Sequence, residues 1–284
     1  MQDVAERIRA YLPSMSKSQR RIAELIESNC EKTAHLTAAR LGEMAGVSEP
    51  TVVRFAAELG YSGYPQFQRA MQEMLRTRLT PNQRIEATNL RVGEGDLVRE
   101  VMTQDIQRIK DTMERLDRNA FSAAADAILS AKNIYIIGAR SASTLASFLQ
   151  LNLSLIFDGV RLLQPTSISE VFEQILQIGP QDVLVAISFP RYSTKLSRAV
   201  EYARAQGAFV LSLTDSPSSP IAKDASCILT AESDMASFAD SLVAPLSILN
   251  AMIAEISRRA APMIRERFDK LETLWDEYNV YAKS

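Results

Sequence analysis

Five short apolar runs alternate with helical segments in the second half of the chain, and this pattern limits the possible folds more than any other feature. The runs lie at residues 134–137, 160–163, 183–187, 209–213 and 227–229. Continuous apolar runs of this length are typical of strands buried on both faces, and strands that alternate with helices form parallel sheets. The sequence therefore predicts an α/β domain with a five-stranded, doubly wound parallel sheet flanked by helices.

The first part of the chain has a helical period instead. Within residues 16–60, apolar side chains such as Ile22 and Ile26 recur at spacings of three and four. Ser16, followed three residues later by Gln19, is typical of a capping box that opens a helix. We expect an all-α domain here.

A polar stretch with Pro81, Gly93 and Gly95 separates the two patterns and is typical of a linker. The predicted domains are residues 1–79, a linker at 80–95 and residues 96–284. At the start of the last, residues 96–132 predict a long amphipathic helical region beside the sheet. Its expected buried side carries Val98, Val101, Ile106, Ile109, Met113 and Leu116. Residues 236–283 predict one or two terminal helices.

Composition favours an ordinary globular protein, with 46% apolar and 23% charged residues. The amino terminus lacks the apolar core of a secretory signal, and the most apolar stretch, 243–256, is too short to span a membrane. Cys30 and Cys227 follow no disulfide or zinc pattern. We therefore expect a cytoplasmic protein with no metal and no cofactor.

The charge is distributed unevenly. Residues 1–90 hold 12 Lys and Arg against 10 Asp and Glu, a net charge of +2, so the rest of the chain carries −4 of the total of −2. A basic first domain favours nucleic acid as a partner, although an excess of this size is weak evidence.

Residues 36–64 have the layout of a helix-turn-helix. Thr37 can cap the first helix, Gly46 tolerates positive φ in the turn, and Ser48 can cap the second helix with Pro50 in its first turn. The expected apolar anchors are Val47, Val53 and Leu59. Such helix pairs also occur in all-α domains that bind no nucleic acid, so the pattern alone leaves DNA binding open.

The amino end of a second helix of this kind enters the major groove. We therefore expect Glu49, Thr51 and Val52 nearest the bases, with Arg54 reaching a base or a phosphate. Ser48 can cap the helix and also donate to a phosphate. Further candidate backbone contacts are Lys17, Arg20, Arg21, Arg40 and Arg69.

The segment LGEMAGVSEPTVVRFAAELGYSGYPQF resembles the amino-terminal signature of RpiR-type (MurR/RpiR) transcriptional regulators. In that signature, A-G-V-S-x-x-T-V-x-R-F is followed by L-G-Y/F-x-G-Y/F-x-x-F. The matching positions here begin at Ala45 and end at Phe67. The resemblance implies a regulator that binds double-stranded operator DNA.

Two loops in the second half carry hydroxyls at the start of a helix, where amide groups and the helix dipole favour an anion. The first loop has Arg140, Ser141, Ser143 and Thr144. The second has Ser188, Arg191, Tyr192, Ser193, Thr194 and Lys195. Either loop alone is also what ordinary helix caps look like. A dinucleotide site is disfavoured, because GARSAS lacks the G-x-G-x-x-G fingerprint.

This half resembles the SIS (sugar isomerase) domain, and a helix-turn-helix followed by SIS is the order of the RpiR-type family. The resemblance implies a phosphorylated sugar or related phosphometabolite as effector, with the two loops on its phosphate. The second loop departs from the family pattern S-x-S-G-x-T, because it reads Ser188-Phe189-Pro190-Arg191-Tyr192-Ser193 and Pro190 stands where a serine hydroxyl would be. Phosphate contacts are therefore expected to shift to Arg191, Ser193 or Thr194.

An SIS fold can also house a sugar-phosphate isomerase, which needs an acid and a base. The only histidine, His35, lies in the first domain, while Glu170, Glu173 and Glu232 remain possible bases. A purely structural or interaction module would leave both loops without a use. We expect no enzymatic activity, and a homodimer or tetramer that binds a palindromic operator.

Overall fold

In a computed structural model of the chain, the structure describes residues 4–34, 36–78, 82, 85, 96–164, 166–233 and 239–280. The chain divides into two compact units, residues 1–84 and 85–284. Apart from residues 82 and 85, the predicted linker at 80–95 lies outside the described residues, as does His35. No helix in the described ranges combines the length and the apolar composition needed to cross a lipid bilayer.

The first unit is all-α, as the sequence predicts. A single 3-10 turn, Leu12–Ser14, follows the first helix. The helices are α1 (Val4–Tyr11), α2 (Lys17–Ser28), α3 (Cys30–Thr33), α4 (Ala38–Ala45), α5 (Glu49–Glu58) and α6 (Tyr64–Arg78). The predicted capping box opens α2: the Gln19 amide donates to Ser16 Oγ at 3.4 Å, and the Ser16 amide donates to Gln19 Oε1 at 2.7 Å.

The second unit holds the predicted five-stranded parallel sheet. Its strands are β1 (Ile134–Gly138), β2 (Val160–Leu163), β3 (Val183–Ile187), β4 (Phe209–Thr214) and β5 (Cys227–Thr230). They lie in the order β2-β1-β3-β4-β5, and every neighbouring pair is parallel. The order reverses between β1 and β3, and the carboxyl edge of an open α/β sheet at such a switch point is where ligands bind.

Helices cover both faces of the sheet. They are α7 (Leu97–Arg115), α8 (Arg118–Ser130), α9 (Ala142–Ser154), α10 (Ile168–Ile175), α11 (Thr194–Ala205), α12 (Val243–Arg259) and α13 (Ala261–Glu277). Ile134 and Ile136 of β1 share one buried cluster with α8, α9 and α12, while Tyr135 and Ile137 share another with α10 and α11. Both faces of the inner strands are buried, which explains why β1 and β3 are apolar throughout, whereas the edge strand β2 carries the exposed Arg161.

Residues 96–132 are helical, as predicted, and form two helices, α7 and α8, because the chain extends at Leu116 and Asp117 before Asp117 caps α8. The expected buried side is wrong at three positions: Val98, Ile106 and Met113 are exposed.

Polar contacts decide which side of α7 faces the unit. Asp105 accepts a hydrogen bond from Ser241 Oγ at 2.6 Å, and Thr112 Oγ1 accepts one from the Glu232 amide at 2.9 Å. The buried residues of α7 are Arg108 and Thr112. The sequence pattern shows that α7 has an apolar side, but it does not show that α7 contacts the unit through its polar side.

Candidate functional site

The helix-turn-helix geometry follows from local chemistry at its two helix starts and its turn. Thr37 caps α4, since its Oγ1 accepts from the Arg40 amide at 3.3 Å. Gly46 ends α4 at φ +64°, a left-handed conformation that suits glycine. Ser48 occupies the N-cap position of α5, with Pro50 in the first turn. The predicted caps and turn therefore lie where the sequence places them.

One detail of the α5 cap differs from expectation. The Ser48 side chain makes no hydrogen bond to a backbone amide; its Oγ instead lies 2.9 Å from Thr51 Oγ1. This hydroxyl pair is at the amino end of α5, where Ser48 is exposed and Thr51 is half-buried. Both hydroxyls can therefore serve a ligand at this helix end.

Val52 does not fit its predicted place near the bases. Its side chain is fully buried and packs inside the unit, whereas the neighbouring Val53 is exposed. Successive helical residues differ by about 100° around the axis, so an error of one position exchanges an inward side chain for an outward one. Val52 is the apolar anchor of α5, and Val53 is the outward residue that sequence reasoning missed.

Glu49 and Arg54 are both exposed on α5. In the described part of the chain, the Arg54 guanidinium has no hydrogen bond or ion pair. Such an arginine can bind a guanine or a phosphate without first breaking a hydrogen bond or an ion pair within the protein. Arg54 is therefore suited to the contact predicted for it.

The cationic side chains proposed for the DNA backbone are all exposed, and the structure places them on α2, α4 and α6. Arg21 lies beside the turn, with its Nη1 3.2 Å from where a Cβ on Gly46 would be. Arg20 donates from Nε to the Met15 carbonyl at 3.3 Å, and Arg40 forms an ion pair with Glu43. Lys17 and Arg69 lie on the exposed sides of α2 and α6.

An aromatic cluster holds α5 against α6. Phe55 meets Phe67 edge to face, with ring centroids 5.8 Å apart, and Tyr61 and Tyr64 also contact Phe67. Tyr64 Oη donates to the Leu36 carbonyl at 2.7 Å, and burial raises the pKa of Tyr64 to about 12. Buried aromatic contacts therefore fix the orientation of α5 against α6.

In the second unit, a pocket of about 430 Å³ opens at the carboxyl edge of the sheet. It is bounded by the ends of β1 and β2 and by the amino ends of α9 and α11, beside the switch point of the strand order. Its polar lining residues are Arg140, Ser143, Ser147, Gln164, Ser193 and Lys195.

The loop after β1 is brought close to α9 by Gly138. A Cβ at this position would lie 2.8 Å from the carbonyl carbon of Ala142 and 3.0 Å from the Ala146 Cβ. Only glycine lets the first turn of α9 approach the strand end this closely. The amino end of α9 therefore faces the pocket.

Both loops contain an arginine in a left-handed backbone conformation. Arg140 has φ +56° and Arg191 has φ +64°. This region costs a side chain with a Cβ roughly 1–2 kcal/mol. Arg191 also stands at the glycine position of the S-x-S-G-x-T pattern, which explains the conformation of its backbone. Such strain is frequent at binding sites.

The hydroxyls of the first loop are turned toward their own backbone. Ser143 Oγ donates to the Arg140 carbonyl at 2.6 Å, and Thr144 Oγ1 donates to the Ser141 carbonyl at 2.6 Å. Their protons are therefore engaged. The amides of Ala142, Ser143 and Thr144 are engaged too, because they donate to the carbonyls of Ala139, Arg140 and Ser141. At the start of α11 the Leu196 amide donates to the Ser193 carbonyl, so the Thr194 and Lys195 amides are, in the described part of the chain, the ones that remain for an anion.

Three of the eight predicted effector residues line the pocket: Arg140, Ser143 and Ser193. The other five, which lie on the loops but outside this lining, are Ser141, Ser188, Arg191, Tyr192 and Thr194. Ser188 is buried at the end of β3, and Tyr192 Oη donates to Asp215 Oδ1 at 2.8 Å. Pro190 is buried as well.

Sequence reasoning missed Gln164 and Ser147 as lining residues, whereas it placed Lys195 on the second loop. Lys195 follows Thr194 in the first turn of α11, and its Nζ donates to the Thr166 carbonyl at 2.8 Å. Hydrogen bonds from Thr166 hold the pKa of Glu170 below its usual value, and Lys195 adds a smaller effect in the same direction. Gln164 follows β2. Because β2 lies beside β1 in the sheet, the end of β2 reaches the same pocket as the loop after β1.

No group of three or more His, Cys, Asp or Glu side chains within the described ranges is placed to hold a metal ion. The pocket lining itself offers two cations, three serine hydroxyls and one side-chain amide, which is the chemistry of an anion site.

Two family models match the chain. The model of the helix-turn-helix domain of the rpiR family matches residues 2–78, and that of the SIS domain matches residues 127–255. Among curated relatives, the HTH-type transcriptional regulator HexR of Escherichia coli (strain K12) is 25% identical, and the alignment covers 95% of this chain and 93% of HexR.

Two solved structures are similar. The sugar isomerase domain of an RpiR transcription factor from Sphaerobacter thermophilus has a TM-score of 0.59 at 25% identity, covering 61% of this chain and 97% of that one. The Vibrio vulnificus NanR protein complexed with ManNAc-6P has a TM-score of 0.61 at 20% identity, covering 99% and 100%. Together with the two family models, these findings identify the chain as a member of the RpiR family of transcriptional regulators, with an amino-terminal helix-turn-helix and a carboxy-terminal SIS domain.

Proposed function

We propose that the operator affinity of this regulator is controlled by a phosphorylated sugar or a related phosphometabolite bound in the pocket of the SIS domain. Residues 1–79 are then the DNA-binding domain, residues 80–95 the linker and residues 96–284 the sensor. The observation that carries the proposal is the pocket itself, where Arg140 and Lys195 lie beside the amino ends of two helices.

A phosphate fits this chemistry better than a neutral sugar. It carries about −1.5 to −2 charges near neutral pH, and helix amino ends and cations each favour a negative charge. None of the described lining residues is an Asp or a Glu. The NanR structure, which has the same fold, holds ManNAc-6P, a phosphorylated sugar, and this supports the same class of ligand here.

The rest of the pocket fits a polar, uncharged body. Gln164, Ser147 and Ser193 line the pocket and offer hydrogen-bond donors and acceptors, and a volume of about 430 Å³ suits a small ligand. We infer that the phosphate lies toward Arg140 and Lys195 and that the sugar hydroxyls face the amide and the serines.

The alternative is a sugar-phosphate isomerase of the SIS fold. The carboxylates weighed from the sequence are poorly placed for it: Glu170 accepts from the Thr166 amide at 2.6 Å and from its hydroxyl at 2.8 Å, and Glu232 is paired with Arg115. Glu170, Glu173 and Glu232 are all absent from the described pocket lining. We infer that the site binds its ligand without converting it.

On DNA, we propose a homodimer, or a tetramer made of two dimers, on a palindromic operator in the cytoplasm. Two α5 helices then enter successive major grooves about 34–36 Å apart. Glu49, Thr51 and Arg54 face the bases, and Val53 rather than the buried Val52 lies beside them. Ser48 and the cations of α2 and α4 bind phosphates. Effector binding shifts the arrangement of the two heads only by its differential affinity for the two states.

The experiment is a thermal-shift screen of the purified protein against sugar phosphates, sugar acid phosphates and the parent sugars. A ligand that binds only the folded state raises the melting temperature. We expect one phosphorylated compound to stabilise the protein, and both Ser193→Ala and Lys195→Ala to reduce that stabilisation.

Arg198→Ala is the matched control, because Arg198 is a cation on the same helix that pairs with Glu201 and lies outside the pocket lining. Stabilisation by parent sugars alone, or equal loss in all three variants, contradicts the phosphate assignment. Conversion of the stabilising compound, followed by nuclear magnetic resonance, would favour the isomerase.

A further inference from the structure

The outward side of α5 is apolar along its centre. We name this surface the α5 strip: Pro50, Val53 and Ala57, which are all exposed and follow spacings of three and four residues. Val53 is 39% exposed. At about 100° per residue, the middle of the strip lies roughly 140° around the helix axis from the middle of the buried side of α5. The strip points away from the core of its own unit, so burial within the unit does not explain why it is apolar.

Charged side chains border the α5 strip. Helical geometry places Glu49 on one side of it and Arg54 on the other, and both are exposed. Arg21 of α2 reaches the turn just before α5, with its Nη1 3.2 Å from where a Cβ on Gly46 would be. Because the chain belongs to a family of helix-turn-helix regulators, and the second helix of that motif enters the major groove, the partner of this side of α5 is duplex DNA.

Glu49 indicates that the strip faces base edges and not the DNA backbone. A carboxylate is repelled by phosphates, but it can accept a hydrogen bond from the amino group of a cytosine in the major groove. Val53 follows Glu49 by four residues, which is about one turn, and therefore lies on the same side of the helix. The apolar side chain of Val53 thus faces the floor of the groove.

The chemistry of the major groove leaves one apolar group for Val53 to contact. All base edges there present hydrogen-bond donors or acceptors, and among the four bases only thymine adds a methyl group, at C5. A purely polar base edge against the strip would lose hydrogen bonds to water without replacing them. A thymine methyl group packed on Val53 instead removes two apolar surfaces from water.

The side chains of the strip also suit a close contact. Val53 is short and branched at Cβ, and such a side chain has one strongly preferred rotamer in a helix, so it loses little conformational entropy on binding. Pro50 and Ala57, about one turn before and after it, carry no long side chain that would hold a base pair away. The strip is therefore shaped for a short apolar group on the base edge.

We propose that Val53 reads the 5-methyl group of a thymine in each half of the operator, with Pro50 and Ala57 allowing the base edge to approach. The strip then discriminates a T·A pair from a C·G pair at that position, because cytosine has no methyl group at C5. This inference rests on the proposed function, in which α5 enters the major groove, and it names a feature of the bases that the helix recognises.

Replacement of thymine by uracil tests the contact, because uracil lacks the methyl group and keeps every hydrogen-bonding group. The duplex is one that the full chain selects from a random pool, and each thymine is replaced in turn. Fluorescence anisotropy should show one thymine in each half-site at which uracil weakens binding about fourfold, the factor expected for the burial of one methyl group.

The variant Val53→Ala identifies the side chain that senses the methyl group. It should bind the thymine duplex more weakly than the wild type does, and it should bind the thymine and uracil duplexes equally. The matched control is Met44→Ala, which also shortens an exposed apolar side chain of the same unit, but on α4, where Met44 is 46% exposed. This control should keep the difference of about fourfold between the two duplexes.

The outcomes separate this inference from the proposed function. Selective binding to a duplex in which no thymine shows the uracil effect overturns the thymine contact and leaves a DNA-binding regulator intact. A uracil effect that persists in Val53→Ala, or that disappears in Met44→Ala as well, contradicts the assignment to Val53 and favours recognition through another side chain or through the shape of the DNA. A wild-type chain that selects no duplex from the pool overturns both.

Discussion

The two left-handed arginines offer a sharp test of whether backbone strain is stored at the pocket. Arg140 and Arg191 have φ values of +56° and +64°. We consider two double variants, Arg140→Gly with Arg191→Gly and Arg140→Ala with Arg191→Ala. Both remove the guanidinium groups, but only glycine removes the Cβ that makes this region unfavourable.

The magnitude follows from two opposing effects. Relief of the left-handed conformation is worth roughly 1–2 kcal/mol at each position. Glycine loses about 0.5–1 kcal/mol more conformational entropy than alanine on folding. The glycine pair should therefore be more stable than the alanine pair by about 1–2 kcal/mol in total. For a unit of this size, that is a difference in Tm of roughly 2–8 °C.

Differential scanning calorimetry of the wild type and both double variants measures the difference. The control is the same comparison at Arg198, in the interior of α11, where glycine should be less stable than alanine by about 1 kcal/mol. Opposite signs at the loops and at Arg198 are expected. A glycine pair that melts at or below the alanine pair would refute the reasoning from strain.

Three further predictions concern other parts of the molecule. Arg54→Ala should weaken specific operator binding by about 1–3 kcal/mol in fluorescence anisotropy, with Arg9→Ala as a control for lost charge. Val52→Ala should instead lower the free energy of unfolding and leave the sequence specificity unchanged. A change of specificity in Val52→Ala would contradict the burial of this side chain. Gly138→Ala should destabilise the second unit by about 1–3 kcal/mol in urea, because its Cβ would lie 2.8 Å from the Ala142 carbonyl carbon, and an unchanged midpoint would be inconsistent with that close approach. Because burial raises the pKa of Tyr64 from 10.0 to about 12, its stabilising effect should be complete below about pH 10 and be lost as the pH rises from about 10 to 12; Tyr64→Phe should flatten this part of the stability profile, and a profile equal to that of the wild type would refute the assignment.

The sheet was predictable from sequence because both of its faces are buried. Strands such as 134–137 and 183–187 read as unbroken apolar runs, and their limits agree with the structure to within one residue. The caps at Ser16 and Thr37 and the turn at Gly46 were also predictable, since each depends on a short stretch of chain. Local chemistry of this kind is visible in the sequence itself.

What failed depended on contacts between distant segments. The phase of α5 was wrong by one residue at Val52 and Val53, because both are valines and only the packed core distinguishes them. The predicted buried side of α7 was wrong because Asp105 and Thr112 form hydrogen bonds with residues more than 100 positions away in the sequence. Gln164 reaches the pocket only because β2 lies beside β1, and no local sequence pattern encodes that order of strands.

The central claim is that a phosphorylated sugar in the SIS pocket controls DNA binding. The most direct measurement is fluorescence anisotropy with a duplex that the purified protein selects from a random pool, titrated with and without the phosphorylated compound that stabilises the protein. We predict a change in the Kd for the duplex of about 5- to 150-fold, lost in Lys195→Ala and kept in Arg198→Ala. An unchanged Kd in the presence of a saturating, bound sugar phosphate would contradict the account.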